Sequence, residues 1–393
     1  MKFKLCTFLG SVLPRLSLGL LAFVLILSIP FTFVNSQSIN KADKPYRIIA
    51  YAGGDMNYWK MGAAKLTHIN YAFALVNDEG EIFFRDESRS AQHLAQLQAL
   101  KAKNPDLKLL VSVGGWGADG FSDAALSDES RKIFSQSAIA MISHYGLDGI
   151  DIDWEFPGQP GPGIKYREED KQNFTLMMKS LREHIDALSD ERGLTGENRL
   201  LLTIASNDDQ RYFEHTEMKK VHTYLDFVNV MSYDMYTVGS ATTGHHTGLY
   251  PSDLDTLLRT TDSAIQLHLE AGIPPQKIVV GVAIYGRGWT EVNPENNGLL
   301  QPFGKWYGFI QYSELKEKYI DKNGFNRHWD DVAKAPFLWN RGSRTFISYD
   351  DSESLMNKTS FIRERGLGGA MYWHHAYDPS EELLNVLYKG LKE

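Results

Sequence analysis

The chain has 393 residues, of which 43% are hydrophobic and 23% are charged, and its formal net charge is -8. These proportions exclude a disordered or fibrous chain, and the length suits one large α/β barrel with an insertion. Without residues 1–36, the chain keeps 38 basic against 49 acidic residues, a charge of -11. We therefore expect neither nucleic acid nor an anionic membrane as a partner, whereas a neutral polymer is compatible with this surface.

The first 36 residues differ in composition from the rest of the chain. Three basic residues precede an uncharged run over 16–34, and Val34-Asn35-Ser36 offers small residues to a signal peptidase. We predict a signal peptide over 1–36 and a secreted or periplasmic protein. An uncleaved membrane anchor formed by 16–34 is the alternative, since about 20 apolar residues span a bilayer. The only cysteine, Cys6, lies in this segment, and an exported protein without disulfides suggests a bacterial source.

From residue 46 onwards, strand-like and helix-like segments alternate, which is typical of a parallel α/β fold. Eight segments have strand character, the number found in a (β/α)8 barrel, and we assign the barrel to 37–393. The predicted strands are 46–51, 67–76, 107–116, 147–156, 199–207, 225–235, 278–289 and 366–375.

The fourth predicted strand carries the main functional signal. Asp151, Asp153 and Glu155 alternate with large apolar residues, so three carboxylates line one face at intervals of about 7 Å. Closely spaced carboxylates raise one another's pKa, which keeps one of them protonated as an acid near neutral pH. A solvated edge strand and a hard-cation site are the alternatives. Asp148 has the wrong parity for this face, and we predict that it is a structural hydrogen-bonding residue.

The segment after the acidic strand predicts an outer helix, because its apolar residues recur at helical spacing with charges between them. These residues are Phe174, Met177, Met178, Leu181, Ile185 and Leu188.

Residues 290–345 interrupt the alternation of strands and helices, and they are rich in Gly, Asn, Pro and aromatic residues. Long connections of this kind are functional or form a small subdomain. We predict that Trp306, Trp329 and Trp339 fill the core of such a subdomain rather than line a groove.

The run Asp148-Gly149-Ile150-Asp151-Ile152-Asp153-Trp154-Glu155 resembles the signature of glycoside hydrolase family 18, the chitinase family. The resemblance implies a (β/α)8 TIM barrel of the bacterial type, with an α+β insertion at 290–345 between strands 7 and 8 that deepens the substrate groove. Four other strand ends resemble the family's segments in the same order: 112–116, 231–234, 285–289 and 369–373.

The same resemblance implies a retaining mechanism in which the substrate assists. Glu155 would protonate the glycosidic oxygen while the 2-acetamido carbonyl of the sugar attacks the anomeric carbon, and Glu155 would then activate water. Asp153 would bind the acetamido N–H, and Asp151, one repeat deeper, would share a proton with Asp153. The hydroxyl of Tyr233 would hold the acetamido oxygen.

The resemblance also assigns groups that contact the sugar. Trp373 would be the floor beneath the scissile sugar and Trp116 a neighbouring platform, because the apolar faces of pyranose rings pack on aromatic rings. A position in the core is the alternative for both tryptophans. Asp234 and Arg287 would contact the sugar, with an internal ion pair as the alternative. The remaining expected contacts are Tyr51, Phe73, Gly115 and Met231.

Two adjacent histidine pairs, His245-His246 and His374-His375, do not have the spacing of a metal site, because adjacent residues on a strand point to opposite faces. We predict surface or loop positions for them, no metal site and no cofactor.

Together these features predict an exported, monomeric chitinase that hydrolyses β-1,4-linked N-acetylglucosamine polymers such as chitin or its oligosaccharides. An endo-β-N-acetylglucosaminidase acting on other glycans is one alternative, because it can share the acidic motif. A non-catalytic chitin-binding lectin is the alternative from another class. The presence of Glu155 together with Asp151, Asp153 and Tyr233 favours the enzyme, a choice that the fold alone does not make.

Overall fold

A computed structural model describes residues 46 to 393. The predicted signal peptide or anchor at 1–36 lies outside the described residues and stays a prediction. Within residues 46 to 393, no helix is both long enough and apolar enough to cross a membrane.

The strands form two sheets, one parallel and closed, the other antiparallel. In chain order they are β1 Arg47–Ala52, β2 His68–Val76, β3 Ile82–Phe83, β4 Lys108–Gly114, β5 Gly149–Asp153, β6 Leu201–Ser206, β7 Phe227–Val230, β8 Ile278–Ala283, β9 Tyr285–Thr290, β10 Lys305–Gln311, β11 Asn326–Asp330, β12 Ala335–Asn340, β13 Thr345–Ser348 and β14 Gly369–Trp373.

The closed sheet is a barrel of eight parallel strands in the order β1, β2, β4, β5, β6, β7, β8 and β14. Pairing of β1 with both β2 and β14 closes the cylinder, and β3 adds only a short antiparallel pairing to β2. The predicted (β/α)8 barrel is therefore confirmed. Most barrel strands end earlier than predicted, because the residues that follow them turn into the loops at the carboxyl mouth.

Most helices follow the barrel strands in sequence, and the short helix Tyr312–Glu314 lies instead within the segment of the antiparallel sheet. In chain order they are α1 Glu87–Ala99, α2 Phe121–Ala124, α3 Asp128–Tyr145, α4 Asp170–Glu191, α5 Gln210–Glu214, α6 Met218–Val221, α7 Thr261–Glu270, α8 Tyr312–Glu314, α9 Ser352–Glu364 and α10 Glu382–Lys392. The helix predicted after the acidic strand is α4, and its six apolar residues are all buried. Capping boxes at Ser127, Thr260 and Asp351 fix where α3, α7 and α9 begin.

The seventh predicted strand, 278–289, is wrong as a single element. Strand β8 ends at Ala283 and β9 begins at Tyr285 in the other sheet. Between them, Ile284 donates its N–H to the carbonyl of Trp373 at 2.8 Å and accepts from the N–H of Tyr312 at 3.1 Å. Both halves are extended and follow each other with one residue between them, so the pattern of side chains does not reveal that the chain changes sheets.

The antiparallel sheet has the strand order β10, β9, β13, β12 and β11 and lies in sequence between β8 and β14. It begins at Tyr285, earlier than the predicted start at 290, and runs to Ser348. Its own core contains Trp289, Phe346 and Trp339, whereas Trp306 and Trp329 are only partly buried. The prediction of a core role is therefore confirmed for Trp339, and Trp306 packs against this core with its ring centroid 5.3 Å from that of Trp289, whereas Trp329 is not part of the core.

A buried ion pair joins the second sheet to the barrel. The ammonium of Lys358, on α9, is fully buried and donates to Oδ2 of Asp350 at 2.7 Å and to Oγ1 of Thr247 at 2.6 Å. The same oxygen of Asp350 accepts from the N–H of Ala283 at 3.3 Å, where β8 ends. The ion pair therefore fixes the end of the second sheet against the loop after β7.

We expect Lys358→Met to lower the free energy of unfolding by about 3 to 5 kcal/mol, because it leaves the Asp350 carboxylate buried without its counter-ion. Urea unfolding measures the change. Lys179→Met, at an exposed position on α4, is the control and should stay within about 0.5 kcal/mol of wild type. Adding Asp350→Asn to Lys358→Met should recover part of the loss. Equal urea midpoints for Lys358→Met and Lys179→Met would contradict the stabilising role of the buried ion pair.

Candidate active site

The three carboxylates of the acidic strand lie on one face, with solvent access increasing toward the mouth of the barrel. Asp151 is 0% exposed and Asp153 is 4% exposed, whereas Glu155, just beyond the end of β5, is partly accessible. The residues between them, Ile152 and Trp154, belong to the core beneath the helices. The predicted alternation of faces is thus present, although β5 itself covers only Gly149–Asp153.

Asp151 is held by side chains from four other barrel strands. One of its oxygens accepts from the hydroxyls of Tyr51 and Ser112, both at 2.8 Å. The other accepts from the hydroxyl of Thr203 at 2.5 Å and the amide of Asn229 at 3.2 Å. Burial raises the pKa of Asp151, and these donors oppose that shift. All four donors are neutral, and Asp153 is not among them.

Asp153 lies one repeat nearer the mouth and has a different environment. Its Oδ1 is buried and has no hydrogen-bond partner among the described residues. Burial raises the pKa of Asp153 well above its usual value, and the neighbouring Glu155 and Asp151 raise it further. Asp153 therefore holds a proton more tightly than an exposed carboxyl, and one of its oxygens is free to bind a polar group.

Glu155 has the properties of a proton donor at neutral pH. Its pKa is raised to about 8, first by burial and then by the negative charge of Asp234. A carboxyl with this pKa remains protonated at pH 7 and yet gives up its proton within the range where enzymes work. Its partial access to solvent means that a ligand at the mouth can contact it.

Tyr233 follows β7 and faces the same region. Its ring meets Tyr285 edge-on, with centroids 6.1 Å apart, and its hydroxyl lies 3.9 Å from the sulfur of Met371. Burial raises the pKa of the phenol well above its usual value, and Asp153 adds to the shift. Tyr233 therefore keeps its proton and is a hydrogen-bond donor.

Asp234 and Arg287 form the internal ion pair that was the alternative to a sugar contact. Nε and Nη2 of Arg287 donate to the two oxygens of Asp234, each at 2.7 Å. Burial raises the pKa of Asp234, but hydrogen bonds from His246 and Arg287 outweigh burial and hold the pKa well below its usual value. Asp234 is therefore a fixed negative charge, and it joins the end of β7 to β9.

The histidine pairs were predicted at surface or loop positions: His245, His246 and His374 do lie in loops, and His375 begins a short 3-10 turn, but a surface position is wrong. His245, His246, His374 and His375 are all buried, and each ring has a side-chain or backbone partner. Adjacent histidines are fixed in different directions within packed loops, a tertiary feature that parity along a strand does not reveal. Among residues 46 to 393, no group of three or more His, Cys, Asp or Glu side chains could hold a metal ion.

An aromatic cluster closes the floor of the mouth. Trp373 is partly buried and stacks on Phe73, with centroids 5.5 Å apart and planes 18° apart, while Tyr51 lies 5.8 Å away. Gly115 has a positive φ of 94°, and a Cβ there would lie 2.8 Å from the ring of Phe73, so glycine leaves room for this ring. Met231 and Trp373 both pack against a buried cluster that contains Tyr51. Non-proline cis peptide bonds occur at Ala72-Phe73, Glu155-Phe156 and Trp373-His374.

Trp116 is 69% exposed, which excludes the core position that was its alternative. Its ring centroid lies 6.4 Å from that of Phe156, the residue after Glu155. An indole held this far into solvent beside the carboxylates is available to stack on a ligand.

Several supporting residues were missed by the sequence analysis. Ser112, Thr203 and Asn229 each interrupt an apolar barrel strand, and a polar residue inside such a strand is the signal that could have found them. His246 and Phe309 have no comparable signal, because their proximity to the site depends on how the second sheet and the loop after β7 pack.

A closed parallel barrel with buried carboxylates, a protonated carboxyl and aromatic rings at its carboxyl mouth defines a (β/α)8-barrel glycoside hydrolase. The chain belongs to glycosyl hydrolases family 18, whose sequence profile matches residues 47–378.

Named relatives agree with this family. The chain is 34% identical to Chitinase A1 of Niallia circulans over 96% of this chain and 62% of that protein. It is 33% identical to Chitotriosidase-1 of Mus musculus over 78% of this chain and 66% of that protein. The chain thus spans less than two thirds of the length of either relative.

Solved structures give the same result. A family 18 N-acetylglucosaminidase from Paenibacillus barengoltzii superposes with a TM-score of 0.82 at 40% identity, covering 88% of this chain and 100% of that one. A chitinase from Bacillus thuringiensis superposes with a TM-score of 0.81 at 33% identity, covering 88% of this chain and 70% of that one.

We expect Glu155→Gln to stabilise the fold increasingly as the pH rises from about 4.5 to about 8. The folded state binds the proton of Glu155 more tightly than the unfolded state does. This contribution is complete below the unfolded pKa of 4.5 and is lost as the pH rises through the folded pKa, and the glutamine variant does not lose it.

Differential scanning calorimetry at several pH values would follow the difference in unfolding temperature between variant and wild type. Glu79→Gln, in an exposed loop, is the control, and its difference should not change across this range. A constant difference for Glu155→Gln would contradict the raised pKa.

Proposed function

We propose that this protein is a chitinase that hydrolyses β-1,4-linked N-acetylglucosamine polymers with retention at the anomeric carbon. The observation that carries the proposal is Glu155: it is partly accessible at the barrel mouth, and burial and Asp234 raise its pKa to about 8. A protonated carboxyl beside a sugar-sized aromatic floor is the group that donates a proton to a glycosidic oxygen.

The nucleophile in this proposal is the substrate. Ordinary retaining glycosidases use a second accessible carboxylate, and family 18 is among the exceptions in which the substrate assists. Here Asp151 and Asp153 are 0% and 4% exposed, and Asp234 is paired with Arg287. These neighbours of Glu155 are therefore poorly available to attack an anomeric carbon, which supports the assisted route.

The proposed reaction has two steps. The proton of Glu155 moves to the glycosidic oxygen as the bond from that oxygen to the anomeric carbon breaks, and the 2-acetamido carbonyl oxygen bonds to that carbon, giving an oxazolinium ion. Water then attacks the anomeric carbon from the side that the leaving group left, and one proton of the water passes to Glu155. The bond between the anomeric carbon and the acetamido oxygen breaks, which opens the oxazolinium ring and restores the 2-acetamido group. Two inversions give net retention.

Asp153 and Tyr233 have complementary roles in the proposal. The unpartnered Oδ1 of Asp153 would accept a hydrogen bond from the acetamido N–H, and the Tyr233 hydroxyl would donate to the acetamido oxygen. Both contacts would orient the carbonyl for attack, which is the largest benefit of a preformed polar site. Asp151 would act through its charge, which raises the pKa of Asp153.

Sugar contacts are proposed for the groups around these carboxyls. Trp373 would support the apolar face of the sugar at the cleavage point, and Trp116 would support a neighbouring sugar. Asp234 and Arg287 would form hydrogen bonds to sugar hydroxyl groups while remaining paired with each other. Four residues would shape the floor rather than bind hydroxyl groups: Tyr51, Phe73, Gly115 and Met231. Tyr51 donates to Asp151, Phe73 stacks on Trp373, Gly115 leaves room for Phe73, and Met231 packs against the cluster that contains Tyr51.

Two other activities remain distinct alternatives. The structural neighbour at 40% identity is an N-acetylglucosaminidase, which favours release of single sugars as the second candidate. An endo-β-N-acetylglucosaminidase would cut other glycans and leave chitin oligosaccharides intact. A lectin would bind without cleavage, and the protonated Glu155 argues against it. We also propose export through residues 1–36, whose composition is typical of a signal peptide, and a monomeric state.

Products from soluble N-acetylglucosamine hexamer, identified by mass spectrometry, test the proposed activity. We expect dimer and trimer from the wild type, and Glu155→Gln should lower turnover by at least on the order of 10²-fold while calorimetry still detects binding. Monomer as the first product would favour the N-acetylglucosaminidase. An intact hexamer with binding would favour the lectin, and turnover that survives in Glu155→Gln would remove Glu155 from its role.

Trp116→Ala should raise KM for the hexamer by up to about tenfold, or ~1.4 kcal/mol, and leave kcat nearly unchanged, because the indole would bind substrate and transition state alike. The matched control is Trp59→Ala. Trp59 is 53% exposed, and its carbonyl accepts from Lys103 on the outer wall, away from the mouth. Equal effects of the two variants would exclude Trp116 as a sugar platform.

A further inference from the structure

His246 lies between the barrel and the second sheet, and its backbone is held from both sides. Its N–H donates to Oγ of Ser348, at the end of β13, at 2.9 Å. Its carbonyl accepts from the N–H of Met235, just after β7, at 3.1 Å. The side chain is fully buried, and its ring lies 5.2 Å from that of Tyr285 with planes 40° apart. The position of this imidazole is therefore fixed by two elements at once.

Among residues 46 to 393, the hydrogen-bond partners of the Nδ1 atom of His246 both belong to Asp234. Nδ1 lies 3.5 Å from Oδ1 of Asp234, an acceptor, and 3.5 Å from the backbone N–H of the same residue, a donor. The ring can therefore hold Asp234 whether Nδ1 carries a hydrogen or not. Its other nitrogen, Nε2, is buried without a partner among the described residues. The hydrogen bonds of this side chain are consequently made by Nδ1.

Asp234 needs such support. Its φ is 60°, in the left-handed region that residues with a side chain adopt infrequently, although Asp tolerates it better than most. This conformation turns its N–H toward His246 and its carboxylate toward Arg287. Backbone strain of this kind persists where neighbouring groups over-determine the conformation. His246 on one side and Arg287 on the other supply that constraint.

The charges that face His246 come from three elements. Asp234 follows β7, Arg287 lies on β9, and Asp350 follows β13. Burial lowers the pKa of His246, and Asp234 opposes that shift, so the ring is neutral at pH 7. Hence its effect on the site near neutral pH comes from where it holds the Asp234 carboxylate.

We propose that His246 is a positioning residue that fixes the Asp234 carboxylate between Nδ1 and Arg287, and that this fixed anion adds to burial in favouring the protonated form of Glu155 in the working enzyme. The inference rests on the proposed function and deepens it. Asp234 is the charge that raises the pKa of Glu155 after burial. If the carboxylate of Asp234 moves, its repulsion of Glu155 weakens, and Glu155 loses its proton at lower pH.

The test compares His246→Phe with His246→Asn. Phenylalanine keeps a ring against Tyr285 but has no Nδ1, whereas asparagine places a polar atom where Nδ1 was. We expect His246→Phe to lower kcat on the hexamer by about tenfold. In the pH profile of kcat/KM, the alkaline limb should shift to lower pH by roughly 0.5 to 1 pH unit. His246→Asn should stay within about twofold of wild type with an unshifted limb.

His245→Asn is the matched control. Its ring is also buried, in the same loop, but Nε2 lies 3.1 Å from Asp330 of the second sheet and not near Asp234. This variant should lower the unfolding temperature and leave the pH profile unchanged. A purely structural role for His246 predicts that His246→Phe behaves like His245→Asn.

Asp234→Asn completes the experiment. Removing the charge should move the alkaline limb in the same direction as His246→Phe and by more. If His246 acts through Asp234, adding His246→Phe to Asp234→Asn should cause no further shift. An additional shift in the double variant, a wild-type profile for His246→Phe, or equal losses in His246→Phe and His246→Asn would each overturn the proposal.

The pKa of Glu155 can also be measured without catalysis, which separates this proposal from the proposed function. The pH at which the stabilising effect of Glu155→Gln stops increasing reports the folded pKa of Glu155. It should be lower in the His246→Phe background than in the wild type. A wild type that leaves the hexamer intact would refute the chitinase, whereas an unchanged plateau pH would refute the role of His246.

Discussion

A carboxylate removed from water in the interior of the barrel, below its mouth, is the constraint on which the site depends. The buried carboxylate of Asp151 is stabilised there because side chains on four other strands of the barrel donate hydrogen bonds to it. A buried charge without such donors would cost several kcal/mol. The same bonds link β1, β4, β6 and β7 across the interior, so the group that charges the site also fixes the relative position of the strands that build it.

From this point, solvation changes along a single strand. One residue separates each carboxyl from the next, and the two-residue period of a strand carries them on one face from the sealed interior to the open mouth. Asp151 has all its hydrogen bonds, Asp153 has an unpartnered oxygen, and Glu155 reaches solvent. Three acids of similar intrinsic acidity thus acquire different protonation behaviour from their burial, their hydrogen-bond donors and the charges beside them, which is how one sequence motif can supply several roles.

The sequence predicted the barrel and the acidic face because both depend on local periodicity. Strand alternation and the parity of Asp151, Asp153 and Glu155 are properties of consecutive residues, and they survive in the structure. It failed where contacts are non-local. The change of sheet at Ile284 and the burial of His246 depend on how distant segments pack, and neither leaves a periodic signal. For Trp116, sequence left exposure and burial equally open, since either suits an indole.

The junction between the two sheets explains why the second sheet matters to the chemistry even if it touches no sugar. The charge that raises the pKa of Glu155 is on Asp234, after a barrel strand, but Arg287, which pairs with it, lies on the second sheet. The buried pair of Lys358 and Asp350 holds that sheet against the same loop that carries His246. Movement of the second sheet would therefore change the proton affinity of Glu155 through Asp234, without any residue of β5 moving.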